Sequence, residues 1–196
     1  MVLSVNAILK ETDNKGIVNE TSTEKKSKKQ ELIDWVKFLL TVAITYWGVT
    51  SAIGITKVSG HSMDPTLQDG SILLVNKLAA AFTKPSFGDV VIVQEDGFQI
   101  VKRVIGIPGD TVAIVDGKLY VNNVPIPEIY TFGQSFDIEP VTVPEGHIFL
   151  MGDNRTPGES LDSRDPNVGP LPDRLVKGHA MISLLPFYKI MKPLEL

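Results

Sequence analysis

Residues 38–56 carry no charged side chain. The run is mostly apolar, diluted by Thr41, Thr45, Thr50, Thr56 and Ser51. As a helix it would reach roughly 28 Å, close to the hydrocarbon thickness of a bilayer. Lys37 and Lys57 bracket it and can snorkel at either end. Lys25, Lys26, Lys28 and Lys29 precede it, whereas Lys57 is the one lysine that closely follows. The positive-inside rule therefore puts the N-terminus in the cytoplasm and everything after Lys57 outside. Trp35 suits an interfacial anchor; Trp47, in mid-run, does not. The expected organisation is a disordered cytoplasmic tail over 1–30, a transmembrane signal anchor over 31–58 and an extracytoplasmic domain over 59–196. Two alternatives stay open. The run could be a buried core helix, or a cleaved secretory signal with the small residues Thr50-Ser51-Ala52 at its end. The long charged stretch ahead of it favours an uncleaved anchor.

The remainder of the 196-residue chain is long enough to bury a core. A formal net charge of −4 gives no nucleic-acid footprint. With no cysteine, disulfides, thiolate zinc sites and a cysteine nucleophile are all excluded. His61, His147 and His179 lack metal-ligand spacing, so neither a metal nor another cofactor is expected.

From Ser59 onward the pattern is β. Residues 72–75, 89–93, 99–105 and 111–115 are rich in β-branched side chains and bounded by Gly, Pro or Asp. Asp116-Gly117 is a two-residue hairpin signal leading into 118–121, and Asn122-Asn123 marks the next turn. Residues 142–143, 147–151 and 176–185 continue the series, with short helical turns expected near 78–82 and 171–175. The predicted fold is mainly β: an antiparallel, barrel-like catalytic domain behind one N-terminal transmembrane helix.

Chemistry enters through Lys102. In a strand it shares a face with Ile100 and Val104, while Val101, Arg103 and Ile105 take the other. Burial disfavours the ammonium and lowers its pKa. A lysine at its ordinary value of about 10.4 is less than about 1% neutral near pH 8, so only a depressed one can act as a base. Taken alone, Lys102 could equally snorkel at a strand edge. Arg103 stays charged even when buried and so needs a carboxylate. Asp153, in Gly152-Asp153-Asn154-Arg155, and Asp162, in Ser160-Leu161-Asp162-Ser163-Arg164, are the candidates. Those segments read either as a polar scaffold or as solvated charged loops. Ser62 sits in the turn Ser59-Gly60-His61-Ser62-Met63-Asp64-Pro65-Thr66-Leu67, where Gly60 allows the backbone to expose a nucleophile and aim amides at one point. His61 is its neighbour, but adjacent side chains point apart and no nucleophile elbow surrounds them.

Together with the upstream apolar run, four segments in this order resemble the type I signal peptidases, membrane-bound serine proteases of the Ser-Lys class. They are the Ser62 turn, Gly88-Asp89-Val90-Val91, Lys102-Arg103-Val104-Ile105-Gly106-Ile107-Pro108-Gly109-Asp110, and the Gly152–Arg155 and Ser160–Arg164 pair. The resemblance runs from the anchor to about residue 185 and matches the family's compact form. It implies Ser62 as nucleophile, Lys102 as general base and the Ser62 N–H in the oxyanion hole. Family members carry serine or glycine two residues before the nucleophile, and Gly60 here adds no hydroxyl. Ser160 matches the serine that holds the lysine amine, Asp162 and Arg164 a supporting charged pair, and Arg103, Asp153 and Arg155 scaffold positions. The family places two residues between the Gly-Asp-Asn-Arg arginine and that serine; Thr156-Pro157-Gly158-Glu159 stand here, and a Pro-Gly turn that bulges outward keeps the register. The implied partners are the lipid bilayer and exported preproteins cut after small residues at −3 and −1. Met63, Leu67 and Val101 are expected to line the substrate pocket. Two rivals remain: a self-cleaving Ser-Lys repressor, which would need a DNA-binding domain in place of the apolar run, and a non-catalytic membrane-anchored β module.

Overall fold

The computed structural model describes residues 27–95, 97–185 and 189–191. The expected disordered tail falls on residues 1–26, outside the described residues, and on 27–30, whose structure differs from that expectation. Helix α1 spans Lys28–Ala52. Ser27 opens it with half of a capping box: the Gln30 side chain accepts from the Ser27 N–H at 3.1 Å, while the Gln30 N–H donates to the Ser27 backbone carbonyl at 2.7 Å as in any first turn. Lys28 and Lys29 are therefore the first helical turn.

No residue of α1 is buried, which removes the core-helix alternative. By length and composition it can cross a membrane. Its threonines fit that reading. Thr41 Oγ1 donates to the Lys37 carbonyl and Thr50 Oγ1 to the Tyr46 carbonyl, both at 2.9 Å. Hydroxyls satisfied one turn back are tolerable in an apolar setting. Contacts divide the chain into Met1–Ala43 and Ile44–Leu196, a boundary inside α1.

The uncharged run does not stay helical to its end. Ile53–Lys57 is a strand, β1, paired antiparallel with β2 (Ile72–Asn76), with Ile53 opposite Asn76 and Lys57 opposite Ile72. Ile53, Ile55 and Thr56 are β-branched and suit either state. The available partner strand decides.

After the short helix α2 (Lys77–Phe82) come β3 (Val90–Glu95), β4 (Phe98–Gly106), β5 (Thr111–Val115), β6 (Lys118–Val121), β7 (Val124–Pro125), β8 (Ile138–Thr142), β9 (His147–Met151), β10 (Leu171–Pro172), a 3-10 turn at Asp173–Leu175, β11 (Val176–Leu185) and β12 (Lys189–Ile190). One sheet runs β1-β2-β11-β3-β4-β9-β10, with β12 on β11; the second runs β7-β6-β5-β8. All strand pairs within them are antiparallel. Both strand orders are open-ended, so barrel-like holds only loosely. Asp116 and Gly117 have φ of 51° and 71°, and Asn122 and Asn123 of 52° and 65°. Two positive φ values in succession are what a tight type I′ hairpin requires.

Strand β3 is buried on both faces. Val90 and Ile92 join Met63, Leu67, Leu73, Val75 and Val101 in one cluster, while Val91 and Val93 join Val104, Ile148 and Leu150 in another. A third cluster packs Ile105, Phe149 and Met151 with Val112, Ile114 and Leu119 of the second sheet. Strand β4 thus contributes to all three cores, and its charged pair Lys102-Arg103 lies between them.

Candidate active site

Pairing fixes the pair first. Lys102 lies opposite Val91, and Arg103 opposite Val90 on one side and Met151 on the other. Both side chains are buried, Lys102 at 4% exposure. The chain leaves β9 at Met151 and turns through Gly152-Asp153-Asn154-Arg155 directly beside them.

Arg103 takes Asp153 of the two candidate carboxylates. The pairing is bidentate, Nε to Oδ1 at 2.8 Å and Nη2 to Oδ2 at 2.6 Å, and Nη1 donates to the Gly88 carbonyl at 2.9 Å. The guanidinium also stands 4.5 Å from the centre of the Tyr130 ring. Burial works against its charge, but the Asp153 hydrogen bonds and charge outweigh burial and hold its pKa above the usual value. Asp89 of the Gly88-Asp89 motif caps Ser86 N–H at 2.9 Å and pairs with His179 at 3.2 Å. These contacts make Gly88-Asp89 a structural corner behind Arg103.

Lys102 has no carboxylate to itself. Its Nζ donates to Ser160 Oγ at 2.9 Å, and Ser160 Oγ donates to Asp162 Oδ2 at 2.6 Å. Asp162 is fully engaged: Arg164 Nε and Nη2 each reach it at 2.8 Å, and the Gly152 N–H at 2.9 Å. Burial alone would raise the Asp162 pKa; the Arg164 bonds and charge, with Ser160 and Gly152, hold it below the ordinary range. Burial is also the main force on Lys102, pulling its amine down to about 8; the Asp162 charge opposes this and Arg164 assists it. Thus Ser160 meets the Lys102 amine despite Thr156-Pro157-Gly158-Glu159.

Ser62 is half-buried and attached to the same turn. Its carbonyl accepts from the Asn154 N–H at 3.0 Å, and the His61 carbonyl from Asn154 Nδ2 at 3.2 Å. Gly152 allows this closeness. A Cβ there would come within 2.3 Å of the Ser62 carbonyl oxygen and 2.5 Å of Ser160 Oγ. Among the described residues Ser62 Oγ makes no hydrogen bond, and its N–H has no acceptor. Catalytic hydrogen bonds are often loose without substrate. Gly60 has φ of 96° with open space where a side chain would point, and its N–H donates to Asp69 at 2.9 Å. His61 faces solvent and pairs with Asp64 at 3.0 Å.

Met63, Leu67 and Val101 do come together, in one core cluster. Met63 and Leu67 are 1% exposed and so present almost no surface to a ligand. Val101, at the limit of burial, has slightly more.

Residues 126–137 were silent in the sequence. They form a strap over the Gly152–Arg155 turn. The Phe132 N–H donates to the Asp153 carbonyl at 3.0 Å, and the Arg155 N–H to the Phe132 carbonyl at 2.7 Å. Arg155 is buried; its Nη2 lies 2.5 Å from Glu128 Oε1, an ion pair whose alignment falls short of a hydrogen bond, and its Nε donates to the Gly152 carbonyl at 2.8 Å. Burial pushes the Glu128 carboxyl pKa up despite the Arg155 charge. Ser135 Oγ accepts from Arg164 Nη1 at 3.0 Å. A lone glutamate just after Pro125 and Pro127 gave no sign of this. Among the described residues no group of His, Asp or Glu could hold a metal ion.

A family model described as signal peptidase, peptidase S26, matches residues 32–185. The chain belongs to this signal peptidase family. Signal peptidase I of Bacillus licheniformis is 37% identical over 186 residues, covering 87% of this chain and 98% of that protein. Signal peptidase I T of Bacillus subtilis (strain 168) is 35% identical, covering 85% and 93% respectively. A crystal structure of a signal peptidase I from Enterococcus faecalis V583 is 31% identical with a TM-score of 0.43, covering 50% of this chain and 97% of that one. Membership makes this family's chain a serine peptidase.

Proposed function

We propose that the protein is a membrane-bound endopeptidase that removes N-terminal signal peptides from exported preproteins, with Ser62 as nucleophile and Lys102 as general base. The observation that carries the reading is the buried Lys102 amine. Its pKa is brought down to about 8, and Ser160, itself bonded to Asp162, holds it in place.

In acylation Ser62 Oγ attacks the carbonyl of the −1 residue. Lys102 takes the hydroxyl proton and passes it to the departing amine, which becomes the new N-terminus. In deacylation a water gives its proton to Lys102 and attacks the ester. Lys102 returns the proton to Ser62 Oγ, and the signal peptide leaves as a carboxylate. The Ser62 N–H faces the developing oxyanion. With Gly60 two residues earlier, any second donor must come from backbone or water. Helix α1 serves as a single-pass anchor with its N-terminus cytoplasmic and the β domain outside. Residues 53–61 then lie between the end of the helix and the nucleophile. Small side chains at −3 and −1 fit a surface that the Met63, Leu67 and Val101 core backs closely.

The test is processing of a model preprotein in detergent by Ser62→Ala and Lys102→Met variants. Both should lose processing while circular dichroism stays at the parent level. Cleavage by both at the parent rate would refute the dyad.

A further inference from the structure

Thr156-Pro157-Gly158-Glu159, the stretch that departs from the family spacing, does more than bulge. Thr156, Pro157 and Gly158 form part of a cavity of about 260 Å³ whose lining also includes Phe136, Ser160, Leu161 and Arg164. Phe136 and Leu161 are exposed at 49% and 64%, large apolar surface for side chains in a polar loop region. Ser160 joins the cavity to the catalytic cluster, because its hydroxyl holds the Lys102 amine at 2.9 Å. The cavity therefore shares one residue, Ser160, with the Lys102 cluster.

The Ser62 turn has two distinct neighbours. At its entry, Val58 and Gly60 bond to residues 69–71, beside β1 and the end of α1. At the Ser62 carbonyl it meets Gly152 and Asn154, and through them the chain that leads to 156–161. Gly152 stands against both the Ser62 carbonyl and Ser160, so a chain laid across Ser62 in that direction would reach Ser160 and this cavity.

We propose that this cavity is a subsite for the mature side of the preprotein. It takes one apolar side chain from the first few residues after the scissile bond and so helps decide which preproteins are cut fast. The inference rests on the Ser62–Lys102 reading above. Phe136, Pro157 and Leu161 supply apolar contact. The Arg164 charge is committed to Asp162, so no free cation invites an acidic residue. Asp165, also at the cavity, repels one.

The experiment compares preproteins carrying Leu, Gly or Asp in turn at each of the first four mature positions. With the parent enzyme, one position should show about a tenfold higher kcat/KM for Leu than for Asp, the scale of one apolar side chain in a pocket. Leu161→Asp and Phe136→Asp should each collapse that ratio to within about twofold, and Leu161→Ile should keep it. Phe82→Asp, an exposed change on α2, should leave the ratio intact. A parent with no preference at any of the four positions overturns the proposal, as does a preference that survives both Asp variants. Failure of the underlying reading would look different: Ser62→Ala would still cleave all these substrates.

Discussion

Lys102 and Arg103 are consecutive residues on β4, equally buried, and treated in opposite ways. Arg103 meets a carboxylate that serves it alone, in bidentate geometry, with an aromatic face above. Lys102 meets a carboxylate only through Ser160, after Arg164 has taken that charge. Burial is the same; the spare negative charge is not. One cation becomes permanent scaffold and the other is left able to give up its proton near pH 8. A site needs both kinds, and a strand that alternates faces delivers them in adjacent positions.

The sharpest way to break the contrast is Lys102→Met. Loss of a general base should lower kcat by up to about 10⁴-fold. Stability should not follow. Keeping a charged amine buried with a pKa near 8 instead of 10.5 costs on the order of 3 kcal/mol at neutral pH. Urea titration at pH 7 should therefore find the variant at least as stable as the parent. Asp153→Asn tests the other face. It leaves Arg103 charged and buried without its partner, and about 3–5 kcal/mol of stability should vanish in the same titration.

Proton loss from Lys102 gives a third test. The rate should rise about tenfold between pH 7 and 9, with a midpoint near 8; a profile flat from pH 6 to 9 breaks the assignment. The stability sign follows from the same shift. The folded chain binds fewer protons than the unfolded one between about 8 and 10.5, so the burial cost is fully present below about 8 and gone above about 10.5. Lys102→Met should gain over the parent at pH 7 and lose that advantage by pH 10.5. The smallest effect expected is Gly60→Ser. The φ of 96° strains any L side chain, so thermal melting should show a loss of about 1–2 kcal/mol. Any gain in kcat from an added oxyanion donor would be read against that loss.

Much of this was legible in advance, for local reasons. Alternating β-branched residues and the Asp116-Gly117 turn announce strands whose partners are near in sequence. The placement of Lys102 and Arg103 on opposite faces follows from strand geometry alone. The choice of Asp153 over Asp162 does not, because both carboxylates lie about fifty to sixty residues away and only the fold ranks them. The strap around Glu128 was invisible for the same reason. The strand at Ile53–Lys57 was hidden differently: its uncharged residues fit a membrane helix as well as a sheet. Ser27-Lys28-Lys29-Gln30 is the exception, a capping-box pattern written plainly in the sequence, of which the Gln30 half forms, and masked by the lysines around it, which read as a tail. Met63 and Leu67 mark the remaining limit. Apolar residues beside a nucleophile announce burial, not whether a ligand shares it.

Gly152 has a consequence for the order in which the enzyme comes into being. The contacts that hold the Ser62 turn come from far along the chain; His61 and Asn154 are 93 positions apart. A nascent chain that has emerged only as far as β8 already carries its hydroxyl and its amine, but neither the backbone that grips the turn nor the serine that steadies the lysine. If Ser62 and Lys102 are the dyad, such a chain is expected to be inert. The site is then complete only once the segment carrying Gly152 and Ser160 has been synthesised and has closed on the Ser62 turn, at a glycine whose Cβ would meet the Ser62 carbonyl oxygen.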